Sequence, residues 1–198
     1  MTLAEFEHAF ASLSITAAFG PVTPSPYLFA QVMGDAFDKL PEPIQQGHMV
    51  SNTHIMQGRV DVVRGKNPLC QCIASIVGFA KTGADQDISV RMDSQSGEEK
   101  WTRTISGQDF HSVLSKGKKR GEIYERFGPA KFLMRLRREG GTLHYDILKG
   151  KMFGIPLPKL LLPRSITHER VEAGRFVFDV EIRLPLLGRL VAYQGWLA

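Results

Sequence analysis

Four side chains with chemical reach stand on segments of strand-like period: Trp101 and Arg103 in EEKWTRTIS, and Glu125 and Arg126 in EIYERF. Alternate residues of a strand share a face, so Trp101 and Arg103 point together while Glu125 and Arg126 point apart. If Arg103 meets Glu125 across neighbouring strands, the pair can orient a ligand carboxylate or polar head group. The same arrangement also serves as a cross-strand ion pair that fixes register. Tyr145, Tyr193 and Trp196 are apolar bodies with polar handles, suited to line a pocket or to sit in a core with one edge at water. A hydrolase- or isomerase-type reaction would need Glu125, Arg103 or Asp179 to converge on an open cavity.

Other chemistries lack their constellations. Among the six histidines, His8, His48, His54, His111, His144 and His168, only His48 and His54 are close in sequence. Six residues along a strand span about 20 Å, too far for one metal ion. His111 and Ser112 are adjacent, hence on opposite faces, and no G-x-S-x-G elbow surrounds them. Cys70 and Cys72 are spaced too closely for an unstrained bridge and read as small core residues in a reducing compartment. The basic groups Lys116, Lys118, Lys119, Arg120 and Arg135, Arg137, Arg138 have acids nearby and no interleaved stacking aromatics, so nucleic acid is not an expected partner. No glycine-rich fingerprint follows a strand, and no cofactor is expected.

The segment GIPLPKLLLP is the least ordinary. Pro156 and Pro158 alternate and remove donors along one edge, so it must be an edge, a rim or an ordered loop. Ile155, Leu157, Leu160, Leu161 and Leu162 can lid an apolar cavity or simply cover the open end of a sheet. They can also dip into a membrane surface with Lys159 and Arg164 at the head groups, a contact less favoured than the other two.

The elements that must position these residues follow from period and caps. Thr2 and Glu5 have capping-box spacing ahead of Leu3, Phe6, Phe10 and Leu13, which predicts a short N-terminal helix followed by a proline-rich connector. Ser25 and Pro26 open a second helix with Phe29, Val32, Met33, Ala36, Phe37 and Leu40 inward. Asn67 and Pro68 open a third with Leu69, Cys72, Ile73, Ile76, Val77 and Ala80 inward. The period is two in VDVV and from Ile88 onward, with turns at SQSG and at Gly140–Gly141. GRFVFDVEIRL is the clearest strand, with Phe176, Phe178, Val180, Ile182 and Leu184 on its dry face. RLVAYQGWL is apolar on both faces, as for a strand covered on both sides or closing a sheet.

A chain of 198 residues, 43% hydrophobic, is one domain in size: residues 1–24 are the N-terminal helix and connector, and 25–198 the main unit. The expected fold is α+β, a strongly curved, mainly antiparallel sheet forming an open or partial barrel, with N-terminal helices packed on it. Acids at the N-terminus where a signal peptide needs bases, and no membrane-length apolar run, point to the cytoplasm. A net charge of +5 with acids and bases intermixed describes a solvated surface.

The ordered series WTRTISGQDFHS, YERFGP, FGIPLPKLLLP and GRFVFDVEIRLPLLGRLVAYQGWL resembles a bacterial family of domains of unknown function. Some members are fused behind an NAD(P)-binding, saccharopine-dehydrogenase-like domain, which implies that the unit serves an oxidoreductase partner. From the residues themselves, the leading expectation is a non-catalytic module that holds a hydrophobic or lipid-like small molecule in a cavity under the sheet. Trp101, Arg103, Glu125, Tyr145, Leu157, Leu161, Tyr193 and Trp196 are its candidate ligand-binding residues.

Overall fold

A computed structural model describes residues 26–198. The expected helix carrying Leu3, Phe6, Phe10 and Leu13 lies outside the described residues. Helix α1 spans Leu28–Met33 and buries Leu28, Phe29, Val32 and Met33. It begins after Tyr27 rather than at Pro26, and a 3-10 turn at Gly34–Ala36 follows it. Helix α2, Glu42–Gly47, has Pro43 in its first turn, where a missing donor costs nothing, and buries Ile44. Helix α3, Pro68–Val77, is capped by the Asn67 side chain, which accepts from the Leu69 N–H, and ends at Gly78 in the left-handed region.

Among the described residues, eleven strands form one sheet. They are β1 (Thr53–Arg64), β2 (Gly83–Gln95), β3 (Glu98–Ile105), β4 (Gln108–Lys116), β5 (Glu122–Phe127) and β6 (Ala130–Glu139), then β7 (Thr142–Met152), β8 (Ile155–Pro156), β9 (Arg164–Glu172), β10 (Arg175–Leu184) and β11 (Gly188–Leu197). Every pairing is antiparallel. The spatial order β6-β5-β4-β3-β2-β1-β11-β10-β9-β7 returns on itself because β6 also pairs with β7. The sheet is therefore a closed ten-stranded barrel, not the open or partial one expected. Strand β8 is only a two-residue addition to β7, which is where alternating prolines allow an edge to exist.

Most hairpins need no long loop. At Ser96–Gly97 and Ser106–Gly107 both turn residues have positive φ, the two-residue turn whose twist matches that of the flanking strands. Side chains at alternate positions then face the interior: Trp101, Arg103 and Ile105 from β3, Phe110 and Leu114 from β4, and Phe176, Phe178, Val180 and Ile182 from β10. Outward positions such as Asp61, Asp87 and Arg91 are exposed. That polarity is the reverse of a lipid-facing barrel wall. No described helix is long and apolar enough to cross a membrane.

The helices close the ends rather than lying along the wall. Helix α1 packs on β4 and β5, and α2 on β9 and β10, with the Gly121 N–H donating to the Val32 carbonyl at 2.8 Å. Helix α3 joins β1 to β2 at the other end and packs on β11 and β1. Its inward stripe is Cys70, Ile73, Ala74 and Val77, one step away from the expected one. Leu69, Cys72 and Ile76 are exposed, because two apolar stripes compete on this helix and only one can meet the barrel.

Strands β1 and β11 approach so closely that a methyl group at Gly58 would sit 1.8 Å from the Trp196 carbonyl oxygen. Gly107, by contrast, has open space around it and only a positive φ to maintain. Gly58→Ala is expected to cost about 3 kcal/mol, which for a chain of this size lowers the melting temperature by roughly 6–12 °C. Gly107→Ala should cost about 1 kcal/mol, with thermal unfolding followed by circular dichroism separating the two.

Candidate functional site

The barrel encloses a cavity of about 230 Å³. Its wall is aliphatic and aromatic over most of its area, including Ile88, Val90, Leu114, Met134, Phe178, Val180 and Ile182, with Arg103, Glu125, Tyr145, His48, Glu169 and Tyr193 among its polar members, and Ser165 and Thr167 beside them.

Register explains how Arg103 enters this wall. Trp101 is paired with Ser112 and Arg103 with Phe110 across β3 and β4, and Leu114 with Glu125 across β4 and β5. Arg103 and Glu125 are thus two strands apart, not on the neighbouring strands expected, and they meet because barrel curvature brings inward side chains together. The Arg103 guanidinium donates to the Ser112 hydroxyl at 2.9 Å and to Glu125 Oε1 at 3.4 Å. It lies 4.9 Å from the centre of the Trp101 ring and 5.2 Å from that of Phe110, so two ring faces help to hold the charge away from water. Burial pushes the Glu125 carboxyl above the ordinary glutamate range, and the Arg103 charge opposes this only in part.

A second polar group sits at the end covered by α1 and α2. Glu169 on β9 accepts from His48 Nε2–H at 2.7 Å and from the Tyr145 hydroxyl at 2.8 Å. The His48 ring stacks on the Phe29 ring, with centroids 3.8 Å apart, and the Trp101 ring lies near-parallel to both, at 5.7 Å from His48 and 6.0 Å from Phe29. With its proton on Nε2, His48 presents Nδ1 as a lone pair, and this atom has no hydrogen-bond partner. An unpartnered acceptor is less costly there than an unpartnered N–H would be. The Tyr145 phenol is pushed well above its usual value by burial, with the Glu169 charge adding to the effect.

Two further buried groups are incompletely satisfied. Trp101 Nε1–H donates to Glu99 Oε2 at 2.9 Å, while Glu99 Oε1 has no hydrogen-bond partner. The Tyr193 ring stacks on Phe110 with centroids 5.9 Å apart, and its buried hydroxyl has no hydrogen-bond partner. Burial raises the pKa of both Glu99 and Tyr193.

Of the candidate residues read from the sequence, Trp101, Arg103, Glu125, Tyr145 and Tyr193 line the cavity, whereas Leu157, Leu161 and Trp196 do not. Trp196 follows the inward Gly195 step of β11 onto the outer wall, where the Arg175 guanidinium covers its ring at 4.6 Å. Asp179 is also outside, bound by Arg170 and 3.2 Å from His168, so it does not converge with Glu125 and Arg103. His48, Glu99, Ser112 and Glu169 belong to the interior and were not singled out as site residues. Parity could have found Glu99 and Ser112, since one shares the Trp101 face and the other pairs with Trp101; nothing local marks His48 or Glu169. Among the described residues no group of three His, Cys, Asp or Glu side chains is placed to hold a metal ion.

Glu169→Ala leaves the Tyr145 hydroxyl and the His48 N–H buried without an acceptor, and is expected to cost about 4 kcal/mol in denaturant unfolding. Glu125 behaves in the opposite sense. The folded protein holds its proton more tightly than the unfolded chain, so stability declines as pH rises from the ordinary glutamate range through the raised value. Glu125→Gln should make that decline shallower, with Glu99 supplying the remainder, as read from unfolding free energies measured across pH.

No curated protein and no solved structure matches this chain, while a family model covers residues 40–197, from the end of the α1 region to the last barrel strand. On that match the chain belongs to the family described as Domain of unknown function (DUF4166).

Proposed function

We propose that the protein is a binding module that takes a small amphiphile, with an apolar body and a polar or anionic head, into the barrel. The observation that supports this reading is the composition of the cavity wall, apolar nearly throughout with one cation, Arg103, placed within it. At about 230 Å³ the space is a little below the roughly 300 Å³ of smaller ligand pockets, which suits a slender ligand. Arg103 spends its bonds on Ser112 and on a long contact to Glu125. Because burial favours the protonated form of Glu125, the guanidinium charge is incompletely neutralised and an entering carboxylate or phosphate can take that place. His48 Nδ1 and the Tyr193 hydroxyl offer further unpartnered polar atoms on the same wall.

Lipid extraction and native mass spectrometry of the purified protein should recover a bound amphiphile. Arg103→Met should weaken binding of a carboxylated fluorescent fatty acid at least about tenfold, while a neutral probe of equal length is little affected. Val180→Phe, which fills part of the cavity, should exclude both probes and leave stability unchanged or raised by about 1 kcal/mol. Equal binding by all three proteins would refute the reading.

A further inference from the structure

The end of the barrel opposite the α1–α2 cap carries apolar side chains that the fold does not need. Phe153 and Leu186 stand in turns with φ of 51° and 64°, a region that bulky side chains occupy at a cost of order 1 kcal/mol. Both are left in solvent, Phe153 at 78% and Leu186 at 94% exposure. Glycine or asparagine would make either turn at less cost. Ile155 and Leu160 are exposed as well, on the same Phe153–Pro163 connection between β7 and β9. Packing accounts for none of these four residues, and several exposed apolar groups at one place mark a contact surface.

The surroundings indicate what the contact is. Strands β7 and β9 pair only at Leu143–Glu169 and His144–His168, and toward this end a groove of about 900 Å³ separates them. Leu160 and Leu186 line it together with Lys159, Arg164 and Arg183. Ile147, Pro163, Ser165 and Leu184 belong both to the groove and to the interior cavity, so the two spaces share a wall at the split. Lys149, Lys151, Lys159 and Arg164 are in no ion pair among the described residues, and Glu181 is taken up by Arg183 and Arg189. Asp146 also lines the groove and is held by Arg137, so the mouth presents large apolar tips beside four lysine and arginine side chains without an ion pair, with Arg183 shared with Glu181.

We propose that this end of the barrel docks on the surface of an anionic phospholipid bilayer, and that the amphiphile passes between leaflet and cavity through the β7–β9 groove. Phe153, Ile155, Leu160 and Leu186 enter the acyl boundary, and Lys159, Arg164 and Arg183 meet the phosphates. The proposal rests on the binding function above and adds its partner and its route. An acidic protein surface would satisfy the charges, but it would not explain why single apolar residues project from strained turns beside a path to the interior.

The test is sedimentation with vesicles of phosphatidylcholine alone and of phosphatidylcholine mixed with phosphatidylglycerol. Wild-type protein should bind the mixed vesicles, more weakly at high salt, and bind phosphatidylcholine poorly. Leu160→Asp/Leu186→Asp and Lys159→Glu/Arg164→Glu should each reduce partitioning at least about tenfold, with melting temperature and equilibrium affinity for the soluble neutral probe unchanged. Failure of the wild type to bind mixed vesicles, or wild-type partitioning by both variants, overturns the docking proposal. Loss of binding on charge reversal but not in the leucine variant reduces the contact to charge adsorption and overturns its apolar part. Fatty-acid uptake without vesicle binding would remove the docking proposal alone, and vesicle binding without uptake would remove the cavity reading alone.

Discussion

One buried carboxylate ties the barrel shut. Glu169 sits on β9 at one of only two residue pairs that join β9 to β7. Its side chain takes the hydroxyl of Tyr145 from β7 and the ring N–H of His48 from the segment after α2. A seam with so few backbone bonds needs another tie, and two short hydrogen bonds to a carboxylate in a low-dielectric interior are a strong one. Removing the acceptor would also loosen the Phe29, His48 and Trp101 stack, since His48 would lose the bond that sets its ring plane. Closure, end cap and cavity wall thus depend on the same group.

The two ends of the barrel are built on different physical terms. At the α1–α2 end, aromatic rings and paired polar atoms fill the space, and the backbone of α1 is bonded to the β4–β5 connection. At the other end, α3 covers the side near β1 and β11, and the β7–β9 split leaves the rest to the Phe153–Pro163 connection. Pro156 and Pro158 account for the weakness of that cover. Between them only the Leu157 N–H is free to donate, and it bonds the Gly150 carbonyl of β7 at 2.9 Å; with no donor at Pro156 or Pro158, β8 stops after two residues and the chain leaves the sheet beside the opening. Closure is therefore firm at one end of the barrel and thin at the other.

Burial of charge inside the barrel is the costly feature of the design. Arg103 is accommodated by two ring faces, a hydroxyl and a carboxyl, yet Glu125 is pushed toward its neutral form by the same burial. An interior evolved only for stability would do as well or better with apolar residues at these two positions.

Strand parity was legible in the chain itself, because the face on which a side chain lies is a local consequence of the two-residue period. That is why Trp101 and Arg103 fall together and why the dry face of GRFVFDVEIRL lines the cavity. The helix cap at Asn67–Pro68 was legible for the same local reason. What parity cannot supply is which face of a twice-apolar element meets the core. It turned Leu69, Cys72 and Ile76 of α3 inward beside Ile73 and Val77, of which only the last two meet the core, and it placed Trp196 with Tyr145 and Tyr193, although Trp196 lies on the outer wall. Closure, the meeting of Arg103 with Glu125 across an intervening strand, and the joining of His48, Tyr145 and Glu169 were decided only in three dimensions. Each joins residues far apart in the chain through the curvature and register of the whole sheet, and those are properties no single segment carries.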